Sequence, residues 1–230
     1  ISSCLVSVRN WAEYHGYGYL FIGDELFASL PANALDKTAG QKVIASDLAR
    51  LHAIREYLDK GYERVVWMDA DFLVFDMEGL QLADEPYAVG REVWVQMDGQ
   101  GKLKAYKKVH NAFLMFSREN AFLDFYIDTA TRLLMHNSGS MPPQFIGPKL
   151  LTAIHNIAGL PVLETAGMFS PLVIKDMLNG QGEALKLFQE KSDTAVAGAN
   201  LCSSSCEKGE LTTSQVEQLI TKLVDVRSFD

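Results

Sequence analysis

Arg64-Val65-Val66-Trp67-Met68-Asp69-Ala70-Asp71-Phe72-Leu73-Val74-Phe75 is an apolar run interrupted by two carboxylates, one residue apart. Residues 64–68 are too few for a helix and nearly all apolar. They predict a central strand of a sheet covered on both faces. Asp69 and Asp71 then stand at its carboxyl end, where open α/β sheets gather their ligands. Two carboxylates this close repel each other unless a cation lies between them. Mg²⁺ and Mn²⁺ take oxygen ligands and commonly join carboxylates to substrate phosphates. A solvated turn is the plainer reading of an Asp-x-Asp. Its place behind a buried strand favours the metal.

The pattern on either side predicts alternating strands and helices. Upstream, Leu5, Val6, Val8, Trp11 and Tyr14 before Gly16 predict a first helix, and residues 17–22 a buried strand. Residues 31–40 read as a polar connection. Residues 41–60 carry a helical stripe of Val43, Ile44, Leu48, Leu51, Ile54, Tyr57 and Leu58, closed by Gly61. Downstream, strands are expected at 87–89, 92–96 and 112–116, with a Gly- and Lys-rich loop or hairpin over 99–110. Ser117 is the expected cap of a helix carrying Phe122, Phe125, Tyr126 and Leu133. Pro148 predicts a helix start, Leu160–Leu163 a short strand, and Ser170-Pro171 to Asn179-Gly180 another helix. Ser214 and Glu217 form the expected capping box of the last helix. The alternation predicts one α/β domain over residues 1–230, with a mostly parallel central sheet flanked by helices.

Composition narrows the function classes. The chain has 230 residues, 48% hydrophobic and 22% charged, enough for a sizeable core and too apolar for global disorder. Lys plus Arg is 21 and Asp plus Glu is 29, a net charge of −8 that argues against a nucleic-acid partner. No run of about 18 apolar residues is present to span a membrane. Three cysteines, Cys4, Cys202 and Cys206, do not form a disulfide framework, and they point to a reducing, cytoplasmic setting. The first residue is Ile1, which leaves a processed signal or anchor upstream as an open expectation.

Ser46-Asp47 and Arg50 lie on the long helix, three and four residues apart, sharing a face. Alone they read as a local ion pair. Followed by Leu58, Gly61 and the strand into Asp69 and Asp71, they resemble the glycosyltransferases of the GT-A fold, in particular families whose sugar-binding region carries a DXD motif. The likeness extends to Asn111-Ala112-Phe113-Leu114-Met115-Phe116, to Ile146-Gly147-Pro148-Lys149-Leu150-Leu151-Thr152 and to Asn200-Leu201-Cys202-Ser203, and covers about residues 15–205.

The resemblance implies a metal-dependent transfer of a hexose from a nucleoside-diphosphate sugar to an acceptor hydroxyl, with retention favoured. The acceptor would be a carbohydrate, glycoconjugate or protein. It implies Asp47, Arg50 and Asn111 as catalytic residues. It implies Asp47, Arg50, Asp69, Asp71, Gly147 and Ser203 around the donor. It implies Asp69, Asp71 and Asn200 around Mn²⁺ or Mg²⁺. Many relatives carry a His or a Ser-Trp pair in the late segment; this chain has neither. The resemblance also places an N-terminal nucleotide-binding strand upstream of Ile1.

Weaker candidates surround these. His15, His52, His110, His136 and His155 lack metal spacing and read as surface or helix residues. Trp67 reads as core. Tyr14, Tyr17 and Tyr19 read as aromatic core, with base stacking the functional alternative. Lys102, Lys104, Lys107 and Lys108 read as a solvated face, with an anionic acceptor or diphosphate as the alternative. Cys202 and Cys206 lack further thiols for zinc. Two competing functions remain: a haloacid-dehalogenase-like phosphatase with Asp69 as nucleophile, and a sugar-nucleotide-binding protein without turnover.

Overall fold

The computed structural model describes residues 1–38 and 40–225. Its central helix is α3 (Lys42–Asp59), which follows α1 (Ser2–Tyr14) and the short α2 (Ala32–Lys37). The expected helical stripe is real: Ile44, Leu48, Leu51, Ile54 and Leu58 have at most 1% of their surface exposed. Burying such a side chain is worth about 1.5–3 kcal/mol, so packing rather than propensity holds α3. The helix ends at Gly61, whose φ of 104° suits only glycine well.

The chain is mixed α/β, but the sheet is not mostly parallel. β1 (Arg64–Met68), β3 (Tyr87–Met97), β4 (Leu103–Ser117) and β5 (Val162–Leu163) lie in the order β1-β4-β3-β5. β4 is antiparallel to both β1 and β3, and β3 and β5 form the parallel pair of this sheet. The reason is local. The Lys-rich stretch is a strand, and a tight turn at Asp98–Lys102 joins it to β3, which forces antiparallel pairing. Asp98 shapes that turn by accepting hydrogen bonds from the backbone N–H groups of Gln100 and Lys102. β1 is accordingly an edge strand, half-buried, rather than a central one.

A second sheet of β2 (Phe72–Val74), β6 (Ala166–Met168) and β7 (Gly198–Asn200) runs in the order β2-β7-β6. It places the residues after the Asp-x-Asp beside residues from the end of the chain. Helices α4 (Ala121–His136), α5 (Pro148–Ala158), α6 (Pro171–Asn179), α7 (Glu183–Lys191), α8 (Ser204–Glu207) and α9 (Thr213–Asp225) complete the fold. α4 is capped by Asn120, which accepts from the N–H groups of Phe122 and Leu123, not by Ser117. The last helix starts two residues earlier than expected, because Thr212 and Gln215, not Ser214 and Glu217, exchange the capping hydrogen bonds. Residues 17–22 form no strand. Tyr17, Leu20 and Phe21 are exposed, and no strand pairs with them among the described residues. No helix among the described residues is long and apolar enough to cross a membrane.

One irregularity sets up the site. Val89 faces Leu114, yet the next residue of β3, Gly90, faces His110. Asn111, Ala112 and Phe113 therefore have no opposite number on β3, while β4 continues to pair with β1. Such a bulge bends the strand and re-aims its side chains. The fully buried His110 ring occupies the space a Gly90 side chain would need, so His110 is a core residue rather than a surface one.

Candidate functional site

Arg50 is the hub. Its guanidinium donates to Asp69 Oδ1 (2.8 Å) and to the carbonyl of Asn111 (2.8 Å), and it lies 3.3 Å from Asp47 Oδ1. It also sits over the ring of Trp67, 5.8 Å from the centroid. The pair of Asp47 and Arg50 is not a surface ion pair: the residues are 2% and 6% exposed. Asn111, re-aimed by the β4 bulge, donates through Nδ2 to Asp47 Oδ1 at 2.8 Å. Asp47 Oδ2 is buried without a hydrogen-bond partner. Gly147 packs directly against it, and a Cβ there would collide with the Asp47 carboxylate and with Asn111 Nδ2. Tyr126 holds this loop by donating to the carbonyl of Ile146.

Burial, the dominant effect, pushes the carboxyl groups of both Asp47 and Asp69 above their ordinary values, although Arg50 pulls each down. The charge of Asp71 raises Asp69 further. The two carboxylates keep Arg50 protonated despite its burial.

Asp71 is held by a different part of the chain. Asn200 Nδ2 donates to its Oδ1 at 2.6 Å and the backbone N–H of Ser203 donates to its Oδ2 at 2.8 Å. The backbone turns sharply at Cys202, whose φ is 50°, an uncommon value for a non-glycine residue. Asn200 Oδ1 accepts from the Cys202 N–H and so fixes this turn. In this arrangement Asn200 orients Asp71, and Ser203 contributes its backbone rather than its hydroxyl. Burial first, and then the charges of Asp71, Glu92 and Asp69, raise the Cys202 thiol well above its ordinary value.

The two constellations meet at a cleft of about 1080 Å³. Arg50, Trp67, Asp69, Asp71 and Ser203 lie in its wall, as do Tyr17 and Tyr19. Asp47, Asn111, Gly147 and Asn200 are not in that wall and support it from behind. Tyr14 is turned elsewhere, donating to Glu78, and is exposed.

Trp67 packs against the core as its sequence suggested, and it also lies in the cleft wall. It is half-buried, and its Nε1 donates to Asp69 Oδ1 at 2.7 Å. Strand residues two apart share a face, so its spacing from Asp69 carried that signal.

Asp69 and Asp71 are the two carboxylates that could hold a divalent cation at the cleft; Asp47, behind the wall, and the Arg50 guanidinium add one charge of each sign. Asp69 Oδ2 makes no hydrogen bond among the described residues, and the Asp69 side chain is 25% exposed. Two carboxylates plus substrate phosphates suffice for Mg²⁺, which seldom has an all-protein cage. No group of three or more His, Cys, Asp or Glu side chains suited to a metal occurs among the described residues. Comparison of the chain with protein-family models, with curated proteins and with solved structures finds no match.

Proposed function

We propose that the chain is a metal-dependent glycosyltransferase of the GT-A type, moving a hexose from a nucleoside-diphosphate sugar to an acceptor hydroxyl. The reading is carried by one observation: the Asp-x-Asp opens onto a large cleft with its two carboxylates fixed by different parts of the chain, Asp69 by Arg50 and Trp67, Asp71 by Asn200 and Ser203.

Asp71 and the free oxygen of Asp69 would hold Mn²⁺ or Mg²⁺. When bound, the cation offsets negative charge on the leaving diphosphate as a Lewis acid. Arg50 adds fixed positive charge in the same wall, and its burial makes that charge count for more than it would in water. Asp47 and Asn111 act on Arg50 and on the loop at Gly147, so they position the donor side rather than offering open surface to it. Trp67 orients Asp69 and presents an apolar ring to the cleft.

The test is donor breakdown. The protein is incubated with a panel of nucleoside-diphosphate hexoses, with Mn²⁺ or with chelator, and released nucleoside diphosphate is measured. Metal-dependent release that Asp71→Ala abolishes is expected. Release of inorganic phosphate from phosphomonoesters instead would assign the phosphatase. Nucleotide-sugar binding without release would assign a binding protein.

A further inference from the structure

Strand β1 is hydrogen-bonded along one side only. The Asp69 N–H donates to the Ala112 carbonyl and the Arg118 N–H to the Glu63 carbonyl. With the register of β1 on β4, this turns the backbone groups of residues 63, 65, 67 and 69 towards β4. Arg64, Val66 and Met68 turn theirs the other way, off the end of the sheet order β1-β4-β3-β5. Their N–H and C=O groups make no backbone hydrogen bond among the described residues. Three donors and three acceptors thus stand in the row that an adjoining strand would use.

This edge lies inside the cleft. All five residues of β1 line it. Val65 and Trp67 pack with the cluster that holds α3, while Val66 and Met68 pack with the cluster that holds Trp11 of α1. Each sheet face of β1 therefore has its own helix. Both helices also contribute to the cleft wall, α1 through Leu5 and Val8, α3 through Ala53, Ile54 and Tyr57. A strand added to β1 would be covered on both faces, and strands of that kind are apolar throughout rather than alternating. Free edges are usually blunted by charge, proline or a bulge. Beyond Arg64, β1 reads Val65-Val66-Trp67-Met68 and pairs with β4 in unbroken register, so it has none of these.

The chain's own unpaired apolar stretch does not occupy the edge. Residues 18–22 line the cleft and make no backbone hydrogen bond among the described residues. They follow Tyr17, whose N–H donates to the Ala12 carbonyl at 2.7 Å and ties the stretch to the end of α1 as part of the wall.

We infer that the free edge of β1 takes a strand from another protein: an extended, uncharged, β-branched segment matching the five residues of β1, bonded to Arg64, Val66 and Met68. The backbone groups supply affinity, and the two helices select against charge. The inference does not rest on the glycosyltransferase reading.

The probe is a fluorescent peptide whose core alternates valine and isoleucine at the length of β1, between lysine pairs that keep it soluble. Two controls share the flanks. One has a glycine-serine core; the other has every core amide N-methylated and cannot donate. Fluorescence polarisation is read without metal or nucleotide. Wild-type protein is expected to bind the first peptide, and each control about tenfold more weakly or less. Val66→Pro removes a donor of the free edge but none of the ladder to β4, a place where proline is tolerated. It should fold and bind about tenfold more weakly. Leu5→Lys, at a half-buried helix position, sets a charge against the incoming strand and should weaken binding as much. Melting curves establish that each variant folds, and Leu5→Lys decides if Val66→Pro does not.

No binding of the first peptide, binding indifferent to N-methylation, or binding that survives in both folded variants overturns the inference. Self-association that Val66→Pro abolishes, without peptide binding, assigns the edge to a second copy and overturns it as well. The transferase reading fails separately: peptide binding with no nucleotide release keeps the strand site and removes the transferase, and metal-dependent release without peptide binding does the reverse.

Discussion

Asp69 and Asp71 stand one residue apart, yet they are held by different means. Asp69 meets side chains of the same half of the chain, Arg50 on α3 and Trp67 on β1, in a network that is mostly buried. Asp71 meets Asn200 and the Ser203 N–H, 129 and 132 residues further on, in a turn nearer the surface. Asp69 belongs to a charge cluster centred on Arg50. Asp71 is aimed by an amide and a backbone donor. The same motif therefore joins two carboxylates anchored in different ways, and substitutions should separate the two.

The largest effect is expected at Arg50. Arg50→Ala leaves Asp47 and Asp69 without their counter-ion, and breaking a buried pair in this way costs about 3–5 kcal/mol. Had the pair been exposed, the loss would have been only about 0.2–0.5 kcal/mol. Urea unfolding decides between them. Arg50→Lys should recover part of the loss but not all, because an ammonium cannot reproduce the guanidinium's separate contacts to Asp69, Asp47 and the Asn111 carbonyl.

Gly147→Ala should cost about 1–3 kcal/mol, the usual range for overpacking, as the methyl group displaces Asp47 and Asn111. Gly99→Ala, where nothing lies within 4 Å, is the control and should change stability little. Equal effects at the two glycines would remove Asp47 and Asn111 from the buried cluster.

Asn200→Ala should cost about 1–2 kcal/mol through its lost hydrogen bonds. Its more telling effect is on affinity for Mn²⁺, which should fall about 10- to 100-fold as Asp71 loses its orientation. Calorimetric titration measures this, and an unchanged affinity would deny Asn200 its positioning role.

A smaller effect separates the buried cluster by pH. The folded-state value of Asp47 is raised above 3.8 by burial. Such a carboxyl stabilises the fold while it holds its proton. That contribution is complete below the unfolded value and is lost as pH rises through the folded one. The contribution of Asp47 to stability should therefore decline as pH rises from 3.8 towards neutrality, so Asp47→Asn should lose less stability over that range than the wild type does. The slope will not vanish, since Asp69 is raised in the same direction. Melting curves across that range provide the check, and identical slopes would contradict it.

Much of this arrangement is visible in the sequence where a period or a cap is strong. The stripe of α3, the apolar run of β1, the proline starts of α5 and α6 and the Asp-x-Asp all stand where their residues indicate. Pairing direction was not visible, because strand order depends on contacts far apart in the chain. The loop-or-hairpin stretch is a hairpin, in which Lys104 and Lys108 alternate with Leu103, Ala105 and Val109 while Lys107 interrupts the apolar face and pairs with Asp193. Tyr17 to Ile22 carried the apolar content of a strand without a partner to pair with. In the site, Asp47, Arg50, Asp69, Asn111 and Gly147 lie in contact with one another through side chains that no local period would bring together. The bulge that turns Asn111 inward left no local signature, because it is a mismatch between two strands.

The proposal that Asp71 helps hold a divalent cation is tested most directly by melting curves of the wild type and of Asp71→Ala, each alone and with Mn²⁺ and a nucleoside diphosphate. Without ligand the variant should melt within about 1 kcal/mol of the wild type, having lost exposed hydrogen bonds but also a carboxylate that repels Asp69. With ligand at about 100 times its dissociation constant the wild type should gain about 2.7 kcal/mol, and the variant almost nothing. An equal gain in both proteins, or a gain that chelator leaves untouched, would contradict the account.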